Sequence, residues 1–122
     1  MDIRIKRVYE PPAPDDGFRV LVDRLWPRGL RKDAAALDAW RKDVAPSDAL
    51  RRWFGHDVAR WPEFRRRYVA ELRDKGEALE ALRALARERR LTLLFAARDE
   101  AHNDAVVLRE VLLAPEETGR AR

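Results

Sequence analysis

The sequence predicts a small single α/β domain with a central, mostly parallel sheet of about four strands that is flanked by helices. Short segments with the two-residue period of strands alternate with longer segments whose apolar residues recur every three to four positions, as in amphipathic helices. The segment 91–97 is apolar without interruption and lies between two helical segments. Such a run is typical of a parallel strand that is covered on both faces, and helices before and after it indicate α/β architecture.

Two strands are predicted near the start of the chain. Apolar and polar residues alternate in 2–9, which predicts a half-buried first strand at an edge of the sheet. The second strand, 18–23, is rich in β-branched residues and has apolar residues on both faces. The segment 10–17 contains three prolines, two aspartates and a glycine, and it is predicted to be a loop. Because this loop is longer than a hairpin turn, the pairing of the first two strands is left open.

Weaker patterns connect the second strand to the first clear helix. Residues 30–37 are rich in alanine and weakly helical, with Asp33 available as an N-cap. Residues 37–44 fit a short strand and a turn equally well. Ser47 then gives a clear helix start, because its hydroxyl can accept a hydrogen bond from a free first-turn amide, and Gly55 is expected to end this short helix.

Three further helices are predicted. Pro62 is expected in the first turn of the first of these, because a proline deeper inside would break the hydrogen-bond ladder. One stripe of this helix is expected to face the core, and it comprises Trp61, Phe64, Tyr68 and Leu72. Gly76 separates this helix from the next, and the final helix is expected to be capped by Asn103 or Asp104.

Composition bounds the chemistry and the organisation of the chain. Its 122 residues suit one domain, predicted to span 1–114, with 115–122 as a flexible polar tail. There is no cysteine, which excludes disulfides, thiolate nucleophiles and cysteine-bound metals. With only two histidines and no carboxylate spacing typical of a metal site, neither a metal nor a cofactor is expected. The N-terminus lacks the apolar core of a signal peptide and no run approaches membrane-spanning length, so we expect a soluble cytoplasmic protein with no membrane partner.

Basic residues slightly outnumber acidic ones. Lysine and arginine number 26 against 22 aspartates and glutamates, and arginine supplies 22 of these positive charges. Most of the arginines are expected on solvated helix faces, paired with the many acids. Arginine is nevertheless the better donor for bidentate contacts to carboxylate and phosphate, so an anionic ligand is a reasonable expectation.

Charged side chains follow two of the predicted strands, 18–23 and 91–97, at the point where each strand ends. In open α/β sheets, ligands gather beyond the carboxyl ends of the strands. If these strands are parallel neighbours, residues 23–29 and 96–103 meet at one edge of the sheet, which we call the rim. The candidate catalytic residues are Asp23, Asp99 and His102, and the candidate ligand-binding residues are Arg24, Trp26, Arg28, Lys42, Ser47, Arg98 and Asn103.

These residue types suit an anion site with acid/base groups. Arginines and a helix N-terminus bind phosphate or carboxylate, and an aspartate or a histidine can transfer a proton. Structural alternatives exist for several of them. Asp23 with Arg98, or Asp99 with Arg24, would also serve as ion pairs that brace two loops. Ser47 is well explained as a helix cap. Lys42 is also explained as a surface charge, and His102 as a hydrogen-bonding group in a loop.

The motifs VDRLWPRG, WRKDVAPS, LRRWFGHD and LLFAARDEAHNDAVVL occur in this order. Their combination resembles the YeaO-like branch of the domain-of-unknown-function family 488, from about residue 5 to residue 113. The resemblance implies a small bacterial-type α/β domain and no established activity, and the family's characteristic positions coincide with the candidate site. Other branches of the family have cysteines near the end of the late strand, where this chain has Ala96 and Ala97. A thiol role elsewhere in the family therefore does not transfer to this chain.

Three functional hypotheses follow, and whether the protein is an enzyme is left open. The first is a domain that binds, and in one version turns over, a small anionic ligand of phosphate or nucleotide type at the rim. The second is a nucleic-acid-binding module, favoured by 22 arginines and four tryptophans but opposed by the nearly matching number of acids. The third is a structural or partner-binding protein without catalysis.

Overall fold

The computed structural model describes residues 1–114, and the predicted tail 115–122 lies outside the described residues. Within the described part, four strands form one parallel sheet, and the prediction of a mostly parallel α/β sheet is confirmed. The strands are β1 (Ile3–Arg7), β2 (Phe18–Leu21), β3 (Ala39–Trp40) and β4 (Leu91–Phe95). The helices are α1 (Lys32–Ala35), α2 (Asp48–Phe54), α3 (Trp61–Leu72), α4 (Gly76–Glu88) and α5 (Asp104–Leu113). No helix in residues 1–114 is long and apolar enough to cross a membrane.

The strand order β1-β4-β2-β3 places β4 between the first two strands. Arg7 of β1 aligns with Phe95, and Leu21 of β2 aligns with Leu94. The first two strands therefore do not pair with each other, which answers the question that the sequence left open. All four strands run in the same direction, so the segments that follow β1, β2 and β4 emerge at one edge of the sheet.

The two faces of the sheet are covered differently. The main core lies on the helix face, where Val20, Leu93 and Phe95 are buried against helices that include α3 and α5. The opposite face carries Leu21 and Leu94, which are fully buried under a smaller apolar cluster. That cluster includes Val8, Trp26, Leu30, Leu37 and Trp40. A parallel sheet needs cover on both faces, and here the connection between β2 and β3 supplies the second layer.

Most local predictions are confirmed. The Ser47 hydroxyl caps α2 by accepting a hydrogen bond from the Leu50 amide at 3.2 Å, and Gly55 ends this helix in a left-handed conformation. Pro62 lies in the first turn of α3. Asn103, rather than Asp104, caps α5 through a 3.1 Å hydrogen bond from the Val106 amide.

Two segments differ from, or refine, their predictions. The prediction that Asp33 caps the first short helix is wrong. Arg31 occupies the N-cap position, and the Asp33 carboxylate pairs with the Arg31 guanidinium at 2.8 Å instead. The segment that fitted both a strand and a turn contains both, because β3 is followed at once by a 3-10 turn, Lys42–Val44.

A buried ionic network lies in the segment that the sequence analysis treated only as a loop. The Asp16 carboxylate accepts hydrogen bonds from Arg19 at 2.6 Å and from Lys6 at 3.0 Å. Asp16 and Arg19 are both buried, and the Thr92 hydroxyl of β4 donates to the Asp16 carbonyl. The network ties the β1–β2 connection across the central strand and is a structural feature of the face opposite the main core.

Candidate functional site

The two segments that form the rim are joined by direct contacts. The Asp23 carboxylate, just after β2, accepts a hydrogen bond from the Ala96 amide, just after β4, at 2.9 Å. The Tyr9 hydroxyl, which follows β1, donates to the Arg28 carbonyl at 2.7 Å. The parallel pairing of β2 with β4 thus brings residues 23–29 and 96–103 together, as expected for neighbouring strand ends.

A pair of carboxyl groups lies at the centre of the rim. The side chains of Asp23 and of Asp104, in the first turn of α5, lie within reach of a hydrogen bond. Burial raises the pKa of Asp23, and burial together with the neighbouring Asp23 raises the pKa of Asp104 well above its ordinary value. A hydrogen bond between two carboxyl groups needs one proton, so we assign the proton to Asp104 and the negative charge to Asp23.

Two further side chains surround this carboxyl pair. Tyr68 is fully buried, and its hydroxyl donates to the Val44 carbonyl. Its pKa is raised well above the ordinary value, by burial first and then by the negative charges of Asp104 and Asp23. His56 is exposed, lies close enough to lower the pKa of Asp23, and has a left-handed backbone with φ of 59°. A left-handed conformation is uncommon for a residue other than glycine and often marks a functional position.

Sequence reasoning missed the roles of Asp104, Tyr68 and His56 at the rim. Asp104 was considered only as a helix cap, and Tyr68 only as a member of the core stripe. His56 lies in a turn and is not among the residues selected from the sequence. No spacing in the sequence signals the contact between the end of β2 and the start of α5, because it is created by the strand order.

Asp99 and His102 form a second polar pair on the rim. One carboxylate oxygen of Asp99 lies 2.9 Å from Nδ1 of His102, and the other accepts the amides of Ala101 and His102. The Ala101 amide and the His102 side chain are the main causes that lower the pKa of Asp99. The imidazole packs edge-on against Trp61, with 5.2 Å between ring centroids. Asp99 therefore orients the ring, and Nε2 of His102 has no hydrogen-bond partner among residues 1–114.

Three of the predicted ligand-binding residues are engaged in structural contacts. The Ser47 hydroxyl donates to Glu71 at 2.6 Å while it caps α2. The Trp26 indole donates to the Leu30 carbonyl at 2.8 Å, and its ring packs edge-on against Trp40. Asn103 is buried, caps α5, and donates to the Asp99 carbonyl at 2.9 Å. These contacts give all three residues structural roles that require no ligand.

The predicted cationic residues are less engaged. The Arg24 guanidinium donates through Nε to the Pro46 carbonyl at 3.0 Å and forms a long ion pair with Asp48 at 3.9 Å. Its two terminal nitrogens have no hydrogen-bond partner in residues 1–114. Lys42 lies over the Trp40 ring, with 4.2 Å from Nζ to the ring centroid. Arg28 and Arg98 are exposed, and neither guanidinium has a carboxylate or carbonyl partner among the described residues.

Arg7, which is not among the residues selected from the sequence, contacts the segment that leads to Arg98. Its guanidinium donates to the carbonyls of Ala97 at 3.0 Å and Ala96 at 3.3 Å, and it lies 4.8 Å from the centroid of the Tyr9 ring. Arg7 thus contacts the chain immediately before Arg98. Through Tyr9 it is also linked to the backbone of Arg28.

Most other arginines pair with acids, as the sequence analysis expected. These ion pairs include Arg31–Asp33, Arg41–Asp43, Arg65–Glu110, Arg66–Glu63, Arg87–Glu80 and Arg90–Asp2. The two ion pairs considered as structural alternatives for the rim, Asp23–Arg98 and Asp99–Arg24, do not form in the described part of the chain. Asp23 binds Ala96 and Asp104 instead, while Asp99 binds His102.

Two cavities lie away from the rim. One, of about 400 Å³, lies between β1 and α5, and the other, of about 740 Å³, lies near the start of α4 beside Arg41 and Asp43. Within residues 1–114, no group of three or more histidine, aspartate and glutamate side chains is arranged to hold a metal ion.

Comparison with known proteins identifies the family. Residues 2–121 match the family described as DUF488-N3i, the inactive DUF488-N3 subclade. The chain is 44% identical to the uncharacterised protein YeaO of Escherichia coli over 112 residues, which cover 92% of this chain and 97% of the relative. It is 48% identical over 110 residues to the uncharacterised proteins Rv3073c of Mycobacterium tuberculosis and Mb3100c of Mycobacterium bovis, which cover 90% of this chain and 92% of each relative. No solved structure gives a significant match. The resemblance drawn from the motifs is confirmed, and the chain belongs to the DUF488 family as a YeaO-like member of the subclade described as inactive.

Proposed function

We propose that the rim binds a small anionic ligand with a phosphate group and does not turn it over. The observation that carries the proposal is the state of Arg28 and Arg98. Both guanidinium groups are exposed without a carboxylate partner among the described residues, in a chain where most arginines are paired with acids. Unpaired guanidinium groups that start from two adjoining loops suit a phosphate, which accepts bidentate hydrogen bonds.

Arg7 strengthens the positive potential at this place. Its own hydrogen bonds go to the neutral carbonyls of Ala96 and Ala97, so its charge is not cancelled by an acid. The stacking of Arg7 on Tyr9, together with the Tyr9 bond to Arg28, holds the two loops against each other. An anion between Arg28 and Arg98 would therefore meet a preorganised pair of loops, which lowers the entropic cost of binding.

The other polar side chains of the rim can form hydrogen bonds with the part of the ligand that carries no phosphate. Nε2 of His102, held in place by Asp99, is available to a hydroxyl or amide of the ligand. The terminal nitrogens of Arg24 and the Asp23–Asp104 pair offer donors and acceptors farther along the rim. In this proposal Asp23, Asp99 and His102 bind and orient, and their predicted catalytic role stays a prediction. The description of the subclade as inactive supports binding without turnover.

Calorimetric titration of the protein with inorganic phosphate, pyrophosphate and adenosine monophosphate tests the proposal. We expect at least one of these to bind, and Arg28→Ala and Arg98→Ala each to weaken binding tenfold or more. Both variants should keep a free energy of unfolding within about 0.5 kcal/mol of the parent, since surface substitutions away from special features usually do. Arg89→Ala is the matched control, because Arg89 is an exposed arginine just before β4, at the opposite edge of the sheet.

Failure to bind any of the three phosphates at low ionic strength would overturn the proposal. Equal weakening by Arg89→Ala would show a nonspecific effect of net charge and would equally count against a rim site. Binding of a single-stranded oligonucleotide without binding of the small phosphates would favour the nucleic-acid alternative, with affinity falling steeply as salt rises.

A further inference from the structure

The outer edge of β1 presents unpaired backbone groups away from the rim. β1 is an edge strand that pairs on one side only, with β4. The Leu91 amide donates to the Asp2 carbonyl, and the Val8 amide donates to the Phe95 carbonyl, so the even-numbered residues direct their backbone groups toward β4. Because this direction alternates along a strand, Ile3, Ile5 and Arg7 direct their N–H and C=O groups outward.

This edge has more free donors than free acceptors. The Ile3 carbonyl accepts a hydrogen bond from the Arg109 guanidinium, and the Arg7 carbonyl accepts one from the Glu10 amide. The Ile5 carbonyl and the amides of Ile5 and Arg7 have no partner in residues 1–114, whereas Ile3 is buried and only 1% exposed. A chain that pairs here must therefore offer mainly acceptors in its backbone and side chains.

An apolar cavity with cationic walls lies beside the same edge. The cavity of about 400 Å³ is lined by Ile3, Ile5 and Val106 together with Arg4, Arg109 and Glu110. Ile3 and Ile5 belong to the helix face of the sheet, so Arg4 projects from the opposite face. Glu110 is paired with Arg65, which leaves the cavity wall positively charged.

Arg109 at the cavity wall and Arg4 on the opposite face of the sheet both keep free donors. Arg4 contacts Asp2 through Nε at 3.4 Å, although Asp2 pairs more closely with Arg90 at 2.7 Å. Arg109 uses only Nε for the Ile3 carbonyl. The terminal nitrogens of Arg4 and Arg109 therefore have no hydrogen-bond partner among the described residues, and they can bind carboxylates.

We propose that the outer edge of β1 binds an extended segment of a partner protein as an additional strand, with alternating apolar and acidic side chains. The apolar side chains would enter the cavity on the helix face, and a carboxylate would reach Arg4 on the opposite face or Arg109 at the cavity wall. Main-chain bonds supply affinity in this mode of recognition, while alternate side chains supply specificity.

A second copy of this chain fits the edge less well. Antiparallel pairing of two β1 strands about Ile5 would place Arg4 opposite Lys6 of the copy, and like charges directly opposite each other destabilise a sheet. It would also direct the amide of Ile3 toward the Arg7 carbonyl, which already accepts a bond from Glu10. A partner strand with acidic side chains has neither disadvantage, because its carboxylates would lie opposite Arg4 and Lys6.

Selection from a random heptapeptide library displayed on phage, against the immobilised full-length protein, tests this proposal. We expect enrichment of sequences in which valine, isoleucine or leucine alternates with aspartate or glutamate. An enriched peptide added to the ¹⁵N-labelled protein should shift the amide resonances of Ile5 and Arg7 and slow their hydrogen exchange. The same peptide with lysine in place of each acid serves as the charge control and should not bind.

Charge reversal separates this site from general electrostatic attraction. Arg4→Glu and Arg109→Glu should each weaken the enriched peptide tenfold or more. Arg52→Glu, on the exposed surface of α2, should leave binding unchanged. Arg109→Glu also removes the bond to the Ile3 carbonyl, so a loss of folding would make this variant uninformative. Arg4 makes only an exposed contact with Asp2, so Arg4→Glu tests the site independently of folding.

Three results would overturn the proposal. The first is the absence of an enriched acidic, alternating sequence. The second is an enriched peptide that shifts resonances elsewhere and leaves the β1 amides unchanged. The third is protection of these amides without peptide, in a dimer detected by light scattering, which would assign the edge to a second copy of the chain.

Discussion

Replacement of Asp104 by asparagine should flatten the dependence of stability on pH. In the folded protein, burial and the neighbouring carboxylate raise the pKa of Asp104 well above the ordinary 3.8, which favours a proton on this carboxyl group. In the unfolded chain the same carboxyl titrates near that ordinary value. Above about pH 4 the folded state therefore binds more protons than the unfolded state through this pair.

The sign and the size of the effect follow from proton linkage. Where the folded state binds more protons, the free energy of unfolding falls as pH rises, and one proton corresponds to a slope of at most about 1.4 kcal/mol per pH unit. The contribution of the Asp23–Asp104 pair to the free energy of unfolding is thus fully present below about pH 4. It is lost as pH rises through the raised pKa of Asp104 in the folded protein. Asparagine does not titrate and its amide can still donate to Asp23, so Asp104→Asn should remove most of this slope without removing the hydrogen bond.

Urea denaturation at half-unit intervals from pH 4 to pH 8 measures the slope. Asp99→Asn is the matched control, since the pKa of Asp99 is lowered by the Ala101 amide and by His102. The contribution of Asp99 to stability is fully present above the pKa that this group has in the unfolded chain. It is lost only as pH falls through the pKa of Asp99 in the folded protein. The control should therefore keep the parental decline toward neutral pH. A decline of equal slope in the parent and in Asp104→Asn would refute the proton-sharing pair.

Two further predictions concern the scaffold. Phe64 is buried and stacks on Phe54 with 4.3 Å between ring centroids, so Phe64→Ala should lower the free energy of unfolding by about 3–5 kcal/mol in urea denaturation. A loss below about 1 kcal/mol would show that this stripe is not core. Gly17 has φ of +70°, and an added Cβ would lie 2.2 Å from the Arg90 carbonyl oxygen, so Gly17→Ala should cost more than about 2 kcal/mol. Gly76→Ala meets no atom within 4 Å and should be neutral or stabilising, and equal melting temperatures for the two glycine variants would contradict this account.

Much of the fold was predictable because local patterns and the final structure agree. The uninterrupted apolar run of β4 is buried at every position from Leu91 to Phe95, as expected for a central parallel strand. Ser47, Gly55 and Asn103 mark helix ends through the chemistry that their side chains or backbones provide. The cap assigned to Asp33 was wrong because the nearby Arg31 offers its carboxylate a stronger partner.

The site was predictable only as a region. Asp23 and Arg28 on one loop, and Arg98 and Asp99 on another, could be placed at one edge because parallel strand ends share an edge. Which side chains then touch depends on the strand order and on where α5 begins, and neither can be deduced from spacing. Asp104 is the clearest example, since its role depends entirely on the approach of α5 to the end of β2.

The turn after β4 is held by hydrogen bonds that do not depend on the side chains of Ala96 and Ala97. Ala96 donates its amide to Asp23, and the carbonyls of Ala96 and Ala97 accept the Arg7 guanidinium. These three bonds use only backbone atoms of the two alanines, so they hold the turn in place whatever side chain stands there. A cysteine at these positions would add a nucleophile. Its absence removes covalent chemistry by a thiolate but leaves Arg28, Arg98 and the shared proton of Asp23 and Asp104 unaffected. Under the proposed function, binding at this edge of the sheet therefore does not depend on a thiol.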